Sequence, residues 1–250
     1  VQVSSVDWTQ PDQTLLLPLW AGLDDPAQVE RLIAAISSPE QYWRRHGMPV
    51  VPADSALYEI EGSDSIGGIN LFWNTLLGEG LIEAGRADLA AELLTRIMKV
   101  QIGSLHATKR FHESYHPDEP RGIGDADHVA GIVPLTLLWN LLGFRIVSDR
   151  RVLIGGVYAL PWAVRVQHHG VTIERSSKGA KITFPSGHVK RIRSDKWRII
   201  DDETVPARKS APPPVKPASP PPGPKPVRKA GKTVRVDVQR TPPDNTDPFA

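Results

Sequence analysis

Apolar positions recur at helical spacing in the first part of the chain and alternate with polar ones from Val152 onward. Val29, Leu32, Ile33 and Ile36 fall three and four residues apart and predict a helix, with Asp24 or Asp25 as its cap and Pro26 at its first position. Ser38-Pro39 predicts a second, short helix that ends before Gly47. Met48 to Ser65 reads as a long loop held by Pro49 and Pro52. Leu71, Phe72, Leu76 and Leu81 place a strong helix over Ile69 to Ala84, closed by Gly85. Leu89, Leu93, Leu94 and Ile97 place another from Arg86 to Gln101. The short joint at Gly85-Arg86 predicts that these two form an antiparallel helical hairpin. His106 to Asp127, rich in His, Pro, Gly and Asp, reads as a second long loop, and a last helix runs from Pro134 to Leu142 with Gly143 at its end.

The period then changes. Val152 to Ile154, Ala163 to Gln167, Val171 to Glu174, Lys181 to Phe184 and Val189 to Arg193 are short alternating segments, separated by turn signals at Gly170, Lys178-Gly179 and Ser186-Gly187. They predict a small antiparallel β module. From Val205 onward, 13 of the 24 prolines crowd into a low-complexity stretch, which cannot bury enough apolar surface to offset its ordering entropy. The expected organisation is therefore a mainly α part over residues 1–148, a β module over 149–203 and a disordered Pro-rich tail over 204–250.

Charge sharpens this division. The tail holds nine basic and three acidic residues, a net +6, which leaves −4 for residues 1–204. The basic pI belongs to the tail, so the folded part gives no sign of binding nucleic acid. The tail is instead a candidate arm for a protein partner. Without cysteine, disulfides and thiolate metal sites are excluded. No apolar run reaches the roughly 18 residues that span a bilayer, and no signal peptide is visible at the N-terminus. The expectation is a cytoplasmic protein without membrane contact.

Phe111-His112-Glu113-Ser114-Tyr115-His116-Pro117 carries the chemistry, and it can be read in two ways. As His112-Glu-x-x-His116 it matches the helix motif of zinc peptidases, which needs both histidines one turn apart on a continuous helix. Pro117 pushes His116 out of the helical region, and no third ligand stands in a recognisable motif. The expectation is therefore no metal and no cofactor. Read as Phe111-x-Glu113-x-Tyr115-x-Pro117, the same residues match a loop that carries a catalytic carboxylate. Leu15 to Leu23, Tyr42-Trp43 through Pro49, Ile69-Asn70, Gly80-Leu81, Gly85 and the strands from Arg151 to Gly187 join it in a broader likeness. Together these segments resemble the six-hairpin glycosidases, and within them the mannosylglycerate-hydrolase-like and glucosidase I-like enzymes.

The resemblance covers approximately residues 15–190. It implies part of an (α/α)6 toroid, an inverting, exo-acting mechanism on glucosides or mannosides, and Glu113 as general base. Tyr115 is placed beside it to orient the carboxylate or its water, and Trp43, Tyr58 and Asn70 as substrate contacts. Tyr115 is counted with these substrate contacts; the structural alternative is core packing for Trp43 and Tyr58 and a helix cap for Asn70. Trp73, Trp139, Trp162 and Trp197 are read as packing residues. A toroid needs twelve helices and about five are visible, so the chain is expected to be the C-terminal half of a catalytic domain, inactive alone. The general acid would come from upstream, since Asp54, Glu61 and Asp64 fit loop solvation or capping better. Tyr58 to Gly68 departs from the family's aromatic, arginine and glycine pattern, which bears on the substrate contacts of that loop. The competing reading is a non-catalytic sugar-binding or scaffold protein on a degenerate helical barrel.

Overall fold

A computed structural model describes residues 11–61, 66–132 and 135–204. All of these lie in one compact unit, Val1–Pro206. The Pro-rich stretch expected to be disordered falls outside the described residues, as does Asp64.

The chain enters through a 3-10 segment, Gln13–Leu19, capped by Asp12, whose carboxylate accepts from the Thr14 N–H at 2.7 Å. Gln13 is buried, and its amide donates to the Met48 and Pro49 carbonyls at 2.7 and 2.6 Å. Helix α1, Pro26–Ile36, starts as the sequence predicts, with Asp25 accepting from the Ala27 N–H and Pro26 in the first turn. The short helix expected after Ser38-Pro39 is not formed. Residues 38–47 are turns, with the N–H groups of Gln41 and Trp43 both bonded to the Ser38 carbonyl. The Arg44 carbonyl accepts from the Arg96 guanidinium of the later helical hairpin.

Helices α2, Leu71–Glu83, and α3, Ala87–Thr108, form the predicted hairpin, turning at Gly85 with φ +78°. Helix α3 runs two turns beyond the expected end at Gln101, passing through Gly103. A Cβ at Gly103 would stand 2.7 Å from that of Pro120, so the glycine lets a neighbouring turn pack on the helix. The loop expected from His106 to Asp127 is also corrected: it contains a β-hairpin, β1 His112–Tyr115 and β2 Gly122–Ala126. Ile69, just ahead of α2, bridges to Tyr115 through two backbone bonds of 2.8 and 3.2 Å. Helix α4, Leu135–Leu142, lies against α2, where Gly78 makes room for Leu137.

Seven more strands follow. β3 Phe144–Ser148, β4 Arg151–Ile154 and β9 Arg198–Asp201 make an antiparallel sheet in the order β3-β4-β9. β5 Val164–His168, β6 Val171–Ser176, β7 Gly179–Thr183 and β8 Val189–Ile192 make a four-stranded meander. The sequence pattern misses β3 and β9, and the strands that follow α4 start at Phe144. Strands hold a larger share of the described residues than a mainly α chain implies; the architecture is a helical part followed by antiparallel sheets.

One apolar core runs through both parts, from Leu77, Leu94 and Ile97 of the helices to Val152, Ile173 and Phe184 of the sheets. Arg175 of β6 fastens the seam. It is buried, and its guanidinium donates to the carbonyls of Leu142, Gly143, Gly155 and Gly156. Two of these lie at the C-terminal end of α4, where helix geometry leaves carbonyls unpaired and negative. Burial lowers the arginine's pKa from its ordinary value, with Asp195 and Tyr158 opposing.

Candidate active site around the Glu113 hairpin

The β1–β2 hairpin is held from several directions. Its bulge lies between the His112 and Ser114 pairings, with Gly124 at φ +73° on the opposite strand. Glu113 is exposed, and its side chain lies over Gly124, where an added Cβ would come 2.9 Å from the carboxylate. It makes no hydrogen bond or ion pair with any other described residue. It is a solvent-facing carboxylate on a backbone fixed by strand pairing.

Tyr115 faces the other way. Its ring is fully buried, and its hydroxyl donates to the Gly131 carbonyl at 2.8 Å, which also accepts from the Gln101 amide at 2.7 Å. Burial pushes the hydroxyl pKa up, against the His112 N–H and the Gln101 side chain. The expected bond from Tyr115 to Glu113 is not made; the hydroxyl ties β1 to the segment of residues 129–131, and no ring surface is open to a sugar. Asn70 sits one residue from the Ile69–Tyr115 bridge. Its carboxamide oxygen accepts from the N–H groups of Phe72 and Trp73, at 3.0 and 3.3 Å, so it is the cap of α2.

The turn that follows β1 rests on the loop after α1. The His46 N–H donates to the Pro117 carbonyl at 2.8 Å, and Arg44 pairs with Asp118 at 2.8 Å. Trp43, one residue before Arg44, is half-buried with the Arg96 guanidinium 4.7 Å over its ring centre. Tyr58 joins the same neighbourhood. Burial, then the Asp118 charge, raise its hydroxyl pKa while Arg44 opposes, and that hydroxyl is enclosed without a partner. Trp43, Tyr58 and Asn70 thus all border the hairpin, and none is hydrogen-bonded to Glu113.

Arg44, His46 and Asp118 are the contacts that sequence reading misses. Arg44 and Asp118 are 74 residues apart, and the Arg44-Arg45-His46 run sits in a stretch with no usable period. His46 is buried, and neither ring nitrogen has a partner among the described residues. Burial lowers its pKa first, then Arg45. Asn74 is missed as well, although an amide inside an apolar helix is the signal that could have found it. It is fully buried and grips the Met48 peptide, accepting from its N–H at 2.9 Å and donating to its carbonyl at 2.8 Å.

The zinc geometry is not built. His112 and His116 stand on and just after a strand, not one turn apart on a helix. The His116 Nδ1 is taken by the N–H groups of Asp118 and Glu119, at 3.1 and 3.0 Å. Among the described residues no cluster of three or more potential ligands is assembled.

A family model for the mannosylglycerate hydrolase MGH1-like glycoside hydrolase domain matches residues 5–129, half of the chain, and takes in every one of these elements through β2. The chain belongs to this glycoside hydrolase family. Two solved structures from Thermus thermophilus are similar, each with a TM-score of 0.42. One, an uncharacterized conserved protein, is 25% identical over 53% of this chain and 31% of that one. The other, a GH63 mannosylglycerate hydrolase in complex with glucose, is 24% identical over 53% of this chain and 32% of that one. The chain therefore spans about a third of the length of these relatives. No curated protein matches it. Among the described residues, no helix is long and apolar enough to cross a membrane.

Proposed function

We propose that Glu113 is the general base of an inverting glycosidase and that this chain carries the base-bearing, C-terminal part of its catalytic domain. The observation that supports this most is the contrast along β1. Tyr115 is locked into the core, while Glu113 is held out on the same rigid strand with no competing partner among the described residues. An inverting enzyme needs that arrangement. One carboxylate activates a water, and a second, roughly 6.5–9.5 Å away, protonates the leaving oxygen. In this reading the acid comes from the remainder of a six-hairpin toroid, to which residues 1–148 contribute their helices. The β module then follows from Phe144, and the tail serves as an arm for a protein partner.

Trp43 and Tyr58, both half-buried, offer their remaining ring surface to a sugar, while the Tyr58 hydroxyl itself is enclosed. Asn70 and Tyr115 act as positioning residues, Asn70 by starting α2 and Tyr115 by fixing the strand. Mannosylglycerate and other small mannosides and glucosides are the first substrates to test. In the full-length protein, Glu113→Gln keeps the side-chain shape and removes the proton acceptor. Turnover should fall by about 100- to 10,000-fold while binding is retained. His112→Ala and chelator should leave turnover within a few-fold. Undiminished turnover in Glu113→Gln, or no turnover by the intact protein on any glycoside, would overturn the proposal, the latter in favour of a non-catalytic sugar-binding scaffold.

A further inference from the structure

At the other end of α2, about 20 Å along the helix from Asn70, lies a groove of about 970 Å³ between the helices and the β3-β4-β9 sheet. Three tryptophans line it: Trp20 after the first 3-10 segment, Trp139 on α4 and Trp197 ahead of β9. They are 46, 44 and 56% exposed, which the packing roles expected for Trp139 and Trp197 do not account for.

Each ring is set in place by a specific contact. The Trp20 indole N–H donates to Glu79 at 3.3 Å, and its backbone lies so close to Gly80 that a Cβ there would fall 2.8 Å from the Trp20 nitrogen. Trp139 meets Phe144 edge to face, with ring centres 5.7 Å apart. Trp197 rests on Gly155 and Gly156; a Cβ at Gly155 would lie 2.7 Å from its ring. Two adjacent glycines thus let the indole lie on bare backbone and turn its other face outward. Rings held this way lose little further freedom on binding.

We propose that this groove binds a neutral oligosaccharide. The hydrogen-bonding inventory selects the ligand. Two donors of the groove, the Trp20 indole and the Asn140 amide, converge on the Glu79 carboxylate at 3.3 and 3.4 Å, and the exposed Arg145 guanidinium adds further donors to the lining. Glu79 and Glu83 then present acceptor oxygens beside flat apolar faces. Sugars match this, with C–H faces for the indoles and hydroxyls that donate to the carboxylates and accept from Arg145. A polyproline segment stacks on tryptophan as well, but it presents carbonyl acceptors and few donors. The groove is too long for a single ammonium group. The site is independent of Glu113 chemistry, so a chain without turnover can still satisfy it.

The test is a titration of the 250-residue chain with maltotetraose, cellotetraose and mannotetraose, followed by tryptophan fluorescence and calorimetry. At least one should bind with a dissociation constant in the millimolar range or below. Trp139→Ala and Trp197→Ala should each weaken it about tenfold or more, on the scale of a buried aromatic anchor. Glu79→Gln, which keeps the side-chain shape but can accept from only one of Trp20 and Asn140, should weaken it less. Glu113→Gln and Trp43→Ala should not change it. No binding up to about 20 mM, a concentration that detects even millimolar affinity, would overturn the proposal. So would binding lost in Trp43→Ala but kept in Trp139→Ala and Trp197→Ala, or a proline-rich peptide bound in preference to every sugar.

Discussion

Glu113 and Tyr115 are two residues apart on one short strand and have opposite environments. Strand geometry would put both on one face, but the bulge between the His112 and Ser114 pairings breaks the register. Tyr115 therefore reaches the Gly131 carbonyl and Glu113 reaches solvent. Tyr115→Phe removes one donor to that carbonyl, which keeps its bond from Gln101. The expected loss of stability is about 1 kcal/mol, the ordinary net worth of one hydrogen bond, read as a shift in the urea midpoint at constant slope. Substrate KM should be unchanged, because the hydroxyl does not face the site. A KM rising with no change in stability would return Tyr115 to the substrate contacts.

At the scale of elements, glycines decide where backbones meet. Gly78 admits Leu137 between α2 and α4, and Gly103 admits Pro120 against α3. Gly131 is the tightest: a Cβ there would run into the His112 carbonyl oxygen, a rigid backbone atom. Gly131→Ala should therefore force the segment of residues 129–131 off the hairpin and break the Tyr115 and Gln101 bonds with it. Overpacking of this kind costs about 3 kcal/mol at its upper end, and thermal unfolding of the variant should show at least that. Fast hydrogen exchange should appear at Ile69 and Tyr115 while α3 stays protected. Gly22→Ala, with open space around it and a φ of +84° to strain, should cost much less. A Gly131→Ala protein as stable as the parent would show that the hairpin does not depend on this contact.

For the molecule as a whole, the hairpin's seat is sensitive to acid. His46 and His116 both have pKa values lowered from 6.5, first by burial, then by Arg45 and Arg121 respectively. Asp118 opposes the shift at both; Glu119 and Glu61 join it at His116, while His116 and Lys99 add to the lowering at His46. The folded chain keeps these rings neutral at a pH where the unfolded chain protonates them. The stability they contribute is complete above the unfolded value of 6.5 and is lost as pH falls through the depressed folded values. Asp202, held at about 2 chiefly by Ser186 and then by Thr204 and His188, acts in a separate window below 3.8. Urea midpoints should thus decline from about pH 7 toward about pH 5, and His46→Gln should flatten part of that slope. A midpoint that rises on acidification in that range would contradict the burial of both rings.

The helices and the β meander were legible because local period and punctuation agree there. Asp25-Pro26 starts α1, Gly85 turns the α2–α3 hairpin, and Gly170 and Gly187 mark turns, all from interactions within a few residues. Glu113 is picked out as the proposed base by its flanking aromatics and proline, which give no sign of the strand there. What escaped was set by contacts distant in sequence. Residues 38–47 form turns instead of a helix, tied to distant partners through the Arg44 carbonyl bonded to Arg96 and the His46 N–H bonded to Pro117. The run from His112 to Tyr115 becomes a strand because Ile69 and β2 supply the partners that its own polar residues do not predict. Arg44 finds Asp118 across 74 residues. Trp139 and Trp197 look like core residues in sequence, and only the glycines and the phenylalanine packed behind them turn their faces outward. A sequence determines an element when the energy that forms it is local; where backbone partners and apolar cover come from elsewhere, only the assembled chain decides.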